Sequence, residues 1–197
     1  MTISLQDAGT RAVTLTPHSI APCGAVHRIE VTVRRTPDPA LELRYELEGD
    51  IERLLLPAVS SSRRADKLWQ HTCFEAFVGE PGGDGYCEIN LSPSTEWAIY
   101  RFAGFRTGME TVETLRPPRI AVQRGENRVS LEAHIDLPPL LCNAALRLAL
   151  SAVIEEADHR LSYWALAHPS PRPDFHHPDS FTLVLPEIPP AQTRERS

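Results

Sequence analysis

Apolar residues recur at every second position in short runs along most of this chain, and glycine, proline, asparagine or aspartate ends each run. Side chains alternate between the two faces of an extended strand, so this period buries one face of a sheet and cannot supply a helical stripe. In 26–35, Ile29, Val31 and Val33 (with His27) oppose Val26, Arg28, Glu30 and Thr32; in 41–47, Leu41, Leu43, Tyr45 and Leu47 oppose Glu42, Arg44 and Glu46. Residues 128–136 repeat the pattern, with Val129, Leu131, Ala133 and Ile135 on the apolar side. Further strands are predicted at 51–56, 72–78, 86–91, 96–102, 120–124, 146–155, 161–166 and 181–185, with 51–56 as the return arm of a hairpin turning at Gly49 and Asp50. Residues 57–70 lack a period and read as a long loop. Helical turns are expected only at 107–115, ended by Pro117 and Pro118, and at 137–143. The expectation is an all-β fold: an antiparallel two-sheet β-sandwich, jelly-roll-like, with one or two short helices.

A chain of 197 residues suits one core rather than two. We place a single domain at 11–186, an N-terminal extension at 1–10 and a flexible C-terminal tail at 187–197. The formal charge of −6 gives no electrostatic footprint for nucleic acid or anionic lipid. No run approaches the roughly 18 apolar residues of a membrane span, and the first residues lack a secretory pattern, so a cytoplasmic location is expected. Cys23, Cys73, Cys87 and Cys142 are irregularly spaced without a CxxC pair, and reduced thiols are expected, although Cys73 and Cys87 fall on neighbouring predicted strands.

In the hairpin 72–91, Phe74, Ala76 and Val78 share a face with Cys87, Ile89 and Leu91, which leaves Glu75, Phe77, Tyr86, Glu88 and Asn90 on the other. Glu132, His134, Arg147, Ser151 and Glu155 take comparable polar phases on later strands, and together these residues would make a hydrogen-bonding floor. An antiparallel sheet also shows one polar face to water without any function. Nearby rings (Trp69, Phe77, Tyr86, Trp97, Tyr100 and Trp164) favour a polar ring ligand such as a sugar. The loop 168–179 holds three histidines and two aspartates, and with His71 it offers nitrogen and oxygen donors for a metal or haem; it lacks an established zinc spacing, and a rigid loop bonded to strand ends is the alternative. Glu75 and Glu88 are the one carboxylate pair of the kind glycoside hydrolysis uses. There is no nucleophile elbow, phosphate-binding glycine loop or HExxH pattern, and the chain reads as a binding domain with no enzyme activity, cofactor or metal.

The stretches LWQHTCFEAFVGEPGGDGYCEINLSPSTEWAIYRFAGFR (68–106) and YWALAHPSPRPDFHHPDSF (163–181) resemble the bacterial DOMON-like family, which is similar to family 9 carbohydrate-binding modules. The resemblance covers 26–185 and implies a β-sandwich whose relatives bind sugars or haem, without a known reaction. It places Trp69, Glu75, Glu88, Asn90, Trp97 and Arg106 where ligand-facing side chains lie in the broader group. With the phases above, the expected ligand-binding set is Trp69, His71, Glu75, Glu88, Asn90, Trp97, Arg106, Trp164, Asp174 and His176. The expected partner is a small-molecule ligand such as a small carbohydrate, on a concave sheet face. A haem- or metal-binding domain and a protein-interaction module are the alternatives, and the oligomeric state stays open.

Overall fold

The computed structural model describes residues 9–36, 38–113, 116–138, 141–142 and 144–188; the extension up to residue 8 and the tail from residue 189 lie outside them. Among the described residues there are twelve strands: β1 (Thr10–Pro17), β2 (Val26–Arg35), β3 (Ala40–Gly49), β4 (Cys73–Gly79), β5 (Tyr86–Leu91), β6 (Trp97–Phe102), β7 (Glu110–Thr111), β8 (Arg119–Arg124), β9 (Arg128–Asp136), β10 (Leu146–Glu155), β11 (Leu161–Ala165) and β12 (Leu183–Leu185). All the strand pairings are antiparallel. One sheet runs β8-β9-β3-β2-β1 and the other β7-β6-β5-β4-β10-β11, with β12 beside β10. This is the predicted all-β two-sheet sandwich.

The sheets are joined through β1, whose residues Thr10 to Leu15 pair with β2 while Thr16 and Pro17 pair with β11. Sequence reading misses this strand because only Leu15 of TRAVTLTP is buried, so the apolar alternation is nearly absent. Proline is tolerated at its last position, where the ladder ends. The core lies between the sheets, with Ile29, Val31, Leu43, Tyr45, Leu47, Val129 and Leu131 facing Phe74, Ala76, Val78, Leu148 and Leu150. The Tyr45 hydroxyl crosses it to donate to the Glu75 carbonyl at 2.7 Å. That bond satisfies a polar group that burial would otherwise leave costly.

Two expected elements fold differently. Residues 51–56 do not return along β3, because β2 and β9 occupy both edges of that strand. They form a 3-10 turn (Ile51–Arg53) and cross to the second sheet, where Leu54 bridges to Glu156 and the Leu55 N–H bonds the Glu155 carbonyl at 2.8 Å. Of the expected helix at 107–115, the described residues 107–113 are not helical. Gly108 has φ +62° and a Cβ there would come within 2.7 Å of the Ala103 Cβ, a tight left-handed turn that sends Glu110 and Thr111 back along β6. Of that segment, 114 and 115 lie outside the described residues; so do 139, 140 and 143 of the expected turn at 137–143. Among the described residues, no helix is long and apolar enough to cross a membrane.

Candidate functional site

Register decides which side chains meet on the second sheet. The cross-strand row Trp97, Leu91, Phe74, Ala152, Trp164 faces the core, and the adjoining row Ala98, Asn90, Glu75, Ser151, Ala165 faces the other way. The next outward row is Tyr100, Glu88, Phe77, Ala149. The predicted phases of Glu75, Phe77, Tyr86, Glu88 and Asn90 therefore coincide on one face. That face is not a solvated surface: Glu75 is 2%, Glu88 6% and Asn90 0% exposed.

Two features explain the burial and leave room beside it. Small side chains on the outward rows (Ala98, Ala149, Ser151 and Ala165) lower the floor, while the loop following β11 folds across it. Phe175 and His176 of that loop pack on Tyr163 and Phe77, with ring centroids 6.2 and 5.0 Å apart. Opposite them, the 3-10 turn Leu68–Gln70 presents Trp69 edge-on to Tyr100 at 6.0 Å. The space left is a pocket of about 590 Å³ with Glu75 and Glu88 in its lining, walled by Trp69, Tyr100, Tyr163 and Phe175. A volume in this range is typical of small-molecule sites.

Hydrogen bonds tie the floor together. Asn90 donates from Nδ2 to Glu88 Oε1 at 2.7 Å, and Ser151 donates to Glu75 Oε2 at 3.4 Å. Glu75 Oε1 is buried without a partner. The Tyr86 hydroxyl lies 2.8 Å from His176 Nδ1 and accepts the Arg106 N–H at 3.3 Å. With the phenol donating to Nδ1, the single proton of a neutral imidazole sits on Nε2, which faces Glu88 Oε2 at 3.6 Å. Asp174 holds the Arg106 guanidinium at 2.8 Å. At the rim, Asp66 accepts from Tyr100 at 2.6 Å and pairs with Arg64.

These surroundings shift protonation. Burial, then the neighbouring Glu88, push the Glu75 carboxyl well above the usual range, and burial raises Glu88 against the opposing Asn90 bond. Burial, with help from Arg106, depresses His176 to about 4. Both effects favour neutral groups where charge would be poorly solvated.

Of the predicted residues, Trp69, Glu75, Glu88, Arg106 and His176 line the pocket; Asn90 and Asp174 stand one bond behind, on Glu88 and Arg106. Trp97 and Trp164 correct the expectation. Each is 4% exposed and packs in the core between the sheets, because each shares the phase of Phe74. His71 is turned to Glu155, 2.7 Å away, and Glu155 also accepts from His159 at 2.8 Å. Glu132 and His134, on β9, belong to the other sheet and do not reach the floor, whereas Arg147 bonds the carbonyls of Glu80 and Gly83. Tyr163 and Phe175 also line the pocket, and nothing in the sequence reports that their strand and loop meet.

The histidines of the alternative metal or haem site are dispersed. His168 bonds the Thr16 carbonyl at 2.8 Å, His176 bonds Tyr86, and His177 Nδ1 accepts the Asp179 N–H at 3.2 Å. Among the described residues, no three His, Cys, Asp or Glu side chains are grouped to hold a metal ion. All four cysteines are free; Cys73 shares the face of Glu75 and Cys87 the face of Val78, so the two thiols lie on opposite sides of the sheet.

No family model and no curated protein sequence matches the chain. Among solved structures, it is similar to a candidate carbohydrate-binding protein from Bacteroides uniformis, with a TM-score of 0.60, 15% identity and coverage of 87% of this chain and 83% of that one. Two structures of family 9 carbohydrate-binding modules from Caldicellulosiruptor kristjanssonii also align. The complex with cellotriose has a TM-score of 0.49 at 13% identity, covering 84% of this chain and 76% of that one. The complex with glucose has a TM-score of 0.45 at 13% identity, covering 84% and 78%.

Proposed function

We propose that this protein is a carbohydrate-binding domain that takes a small sugar into the pocket over β4, β5 and β10, and that it performs no reaction on it. The observation that carries this reading is the combination of aromatic walls with buried hydrogen-bonding groups in one preformed pocket. Sugars present apolar C–H faces and rings of hydroxyls, and such a pocket matches both: Trp69 and Tyr163 cover a face while Glu88, Glu75 and Arg106 bond hydroxyls. The fold likeness to a candidate carbohydrate-binding protein supports the same reading. Membership of a bacterial DOMON-like group, from the two motif stretches, and a cytoplasmic location, with which four free thiols accord, complete the proposal.

Isothermal calorimetry of the purified protein against monosaccharides and short oligosaccharides tests it. A saturable heat with a dissociation constant below the millimolar range is expected. Failure of every sugar to bind in that range overturns the reading.

A further inference from the structure

Glu75 and Glu88 have an uncommon position for a pocket that would serve only neutral sugars. Glu75 pairs across the ladder with Asn90, which makes Glu88 its diagonal neighbour, with backbones about 7 Å apart. Both side chains are more than nine-tenths buried, yet neither pairs with a lysine or an arginine. Arg106, the guanidinium at the same pocket, is engaged by Asp174. Glu88 accepts from the Asn90 amide at 2.7 Å and faces Nε2 of the neutral His176 at 3.6 Å. Glu75 has only the Ser151 hydroxyl on Oε2, and its Oε1 has no partner.

Buried carboxyls are ordinarily paired or fully bonded, because an unpaired one loses its hydration without compensation. A pocket that leaves a buried oxygen of Glu75 without a donor, beside a second buried carboxyl, is complementary to a ligand that brings donors and positive charge. Aromatic walls strengthen that complementarity, since Trp69, Tyr100 and Tyr163 offer ring faces or edges around the same space and a cation gains from lying over such a face. Uronic acids fit poorly: their carboxylate would meet Glu75 and Glu88 while Arg106 is already paired.

Resting on the carbohydrate reading, we propose that the site selects amino sugars, seating a protonated amine against Glu75 and Glu88 while the ring hydroxyls and C–H face take the remaining walls. Association moves a proton. The amine arrives as an ammonium ion, the Glu75 carboxyl gives up its proton to solvent, and the ion pair forms; no covalent bond is made or broken in the sugar. Glu88 and the Ser151 hydroxyl act on Glu75 during this step; the charge of Glu75 acts in turn on the buried Cys73 and Tyr45, while Arg106 acts on Glu88 and His176.

Calorimetry in mildly acidic buffer, where the amine carries its proton, decides the matter with four probes: glucose, glucosamine, N-acetylglucosamine and cyclohexylamine. Glucosamine is expected to bind at least tenfold tighter than the other three, and to release protons, read as a heat that changes with the ionisation enthalpy of the buffer. Glucose binding as tightly as glucosamine overturns this inference and leaves the carbohydrate reading standing. Cyclohexylamine matching glucosamine while glucose is silent overturns both. In Glu88→Gln and Glu75→Gln, the preference for glucosamine over glucose should fall toward unity. If either variant fails to fold by circular dichroism, the wild-type ranking and its proton release alone settle the proposal.

Discussion

The Tyr86 hydroxyl lies 2.8 Å from Nδ1 of His176, a contact that joins the floor of the pocket to a loop ninety residues further along the chain. It holds Phe175 and His176 over the second sheet and turns the imidazole Nε2 toward Glu88. Tyr86→Phe keeps the ring stack on Phe102, at 5.0 Å, and deletes only the hydroxyl. A loss of about 1–2 kcal/mol is expected, because a buried ring nitrogen is left unsatisfied. In a chain of this size that is roughly 2–8 °C in Tm, measurable by differential scanning fluorimetry, and hydrogen exchange should quicken in residues 174–177.

Acid should act through His176. Its folded-state pKa, about 4, lies below the ordinary histidine value near 6.5, so the unfolded chain binds the extra proton between these two pH values. Stability contributed by the neutral ring is present above the upper value and lost as pH falls toward the lower one. The whole effect is on the order of 3 kcal/mol. Urea unfolding of wild type and His176→Gln across this window checks it: wild type should lose stability relative to the variant on acidification. A constant difference would refute the assignment.

Glu75 has the opposite sign. Its folded pKa is raised by burial and by Glu88, so its contribution is fully present below the ordinary carboxylate pKa and is lost as pH climbs through the raised value. Relative to Glu75→Gln, wild type should therefore weaken as the pH is taken from mildly acidic to alkaline. Chemical denaturation at several pH values reads the trend directly.

The tryptophans separate stability from binding. Trp164 lies in the core and its alanine variant should lose about 3–5 kcal/mol. Trp69, 38% exposed, sits at the pocket wall, and Trp69→Ala should cost less than about 1 kcal/mol of stability while weakening sugar binding several-fold. Thermal unfolding together with calorimetry on the same samples distinguishes the two roles.

Arg35 is a structural counterpart to these site residues. It is 6% exposed and its guanidinium donates to the carbonyls of Leu141, Cys142, Ala144 and Pro186 at 2.6 to 3.0 Å, fastening the approaches to β10 and the end of β12 against β2. Arg35→Ala is expected to cost at least about 3 kcal/mol, since several charge-assisted bonds disappear together. Equilibrium urea unfolding gives the value.

Neighbouring residues alone carry the local part of this fold. A two-residue period in FEAFV and YCEINL assigns Glu75, Phe77, Tyr86, Glu88 and Asn90 to one face of a hairpin, because pleating reverses direction at each residue wherever the strand is regular. It could not say whether that face met water, and the structure buries it under a loop whose position depends on the long-range bond between Tyr86 and His176. Nor could it phase Trp97 and Trp164. Their facing follows from the register that sets Trp97 against Leu91 and Trp164 against Ala152, and pairing between strands is decided by the whole sheet. The same is true of β1, invisible for want of buried residues yet continuous with both sheets, and of 51–56, barred from β3 by strands arriving from distant parts of the chain. Alternation lies in neighbouring residues, whereas edges, rows and pockets exist only once separated segments compete for the same backbone hydrogen bonds.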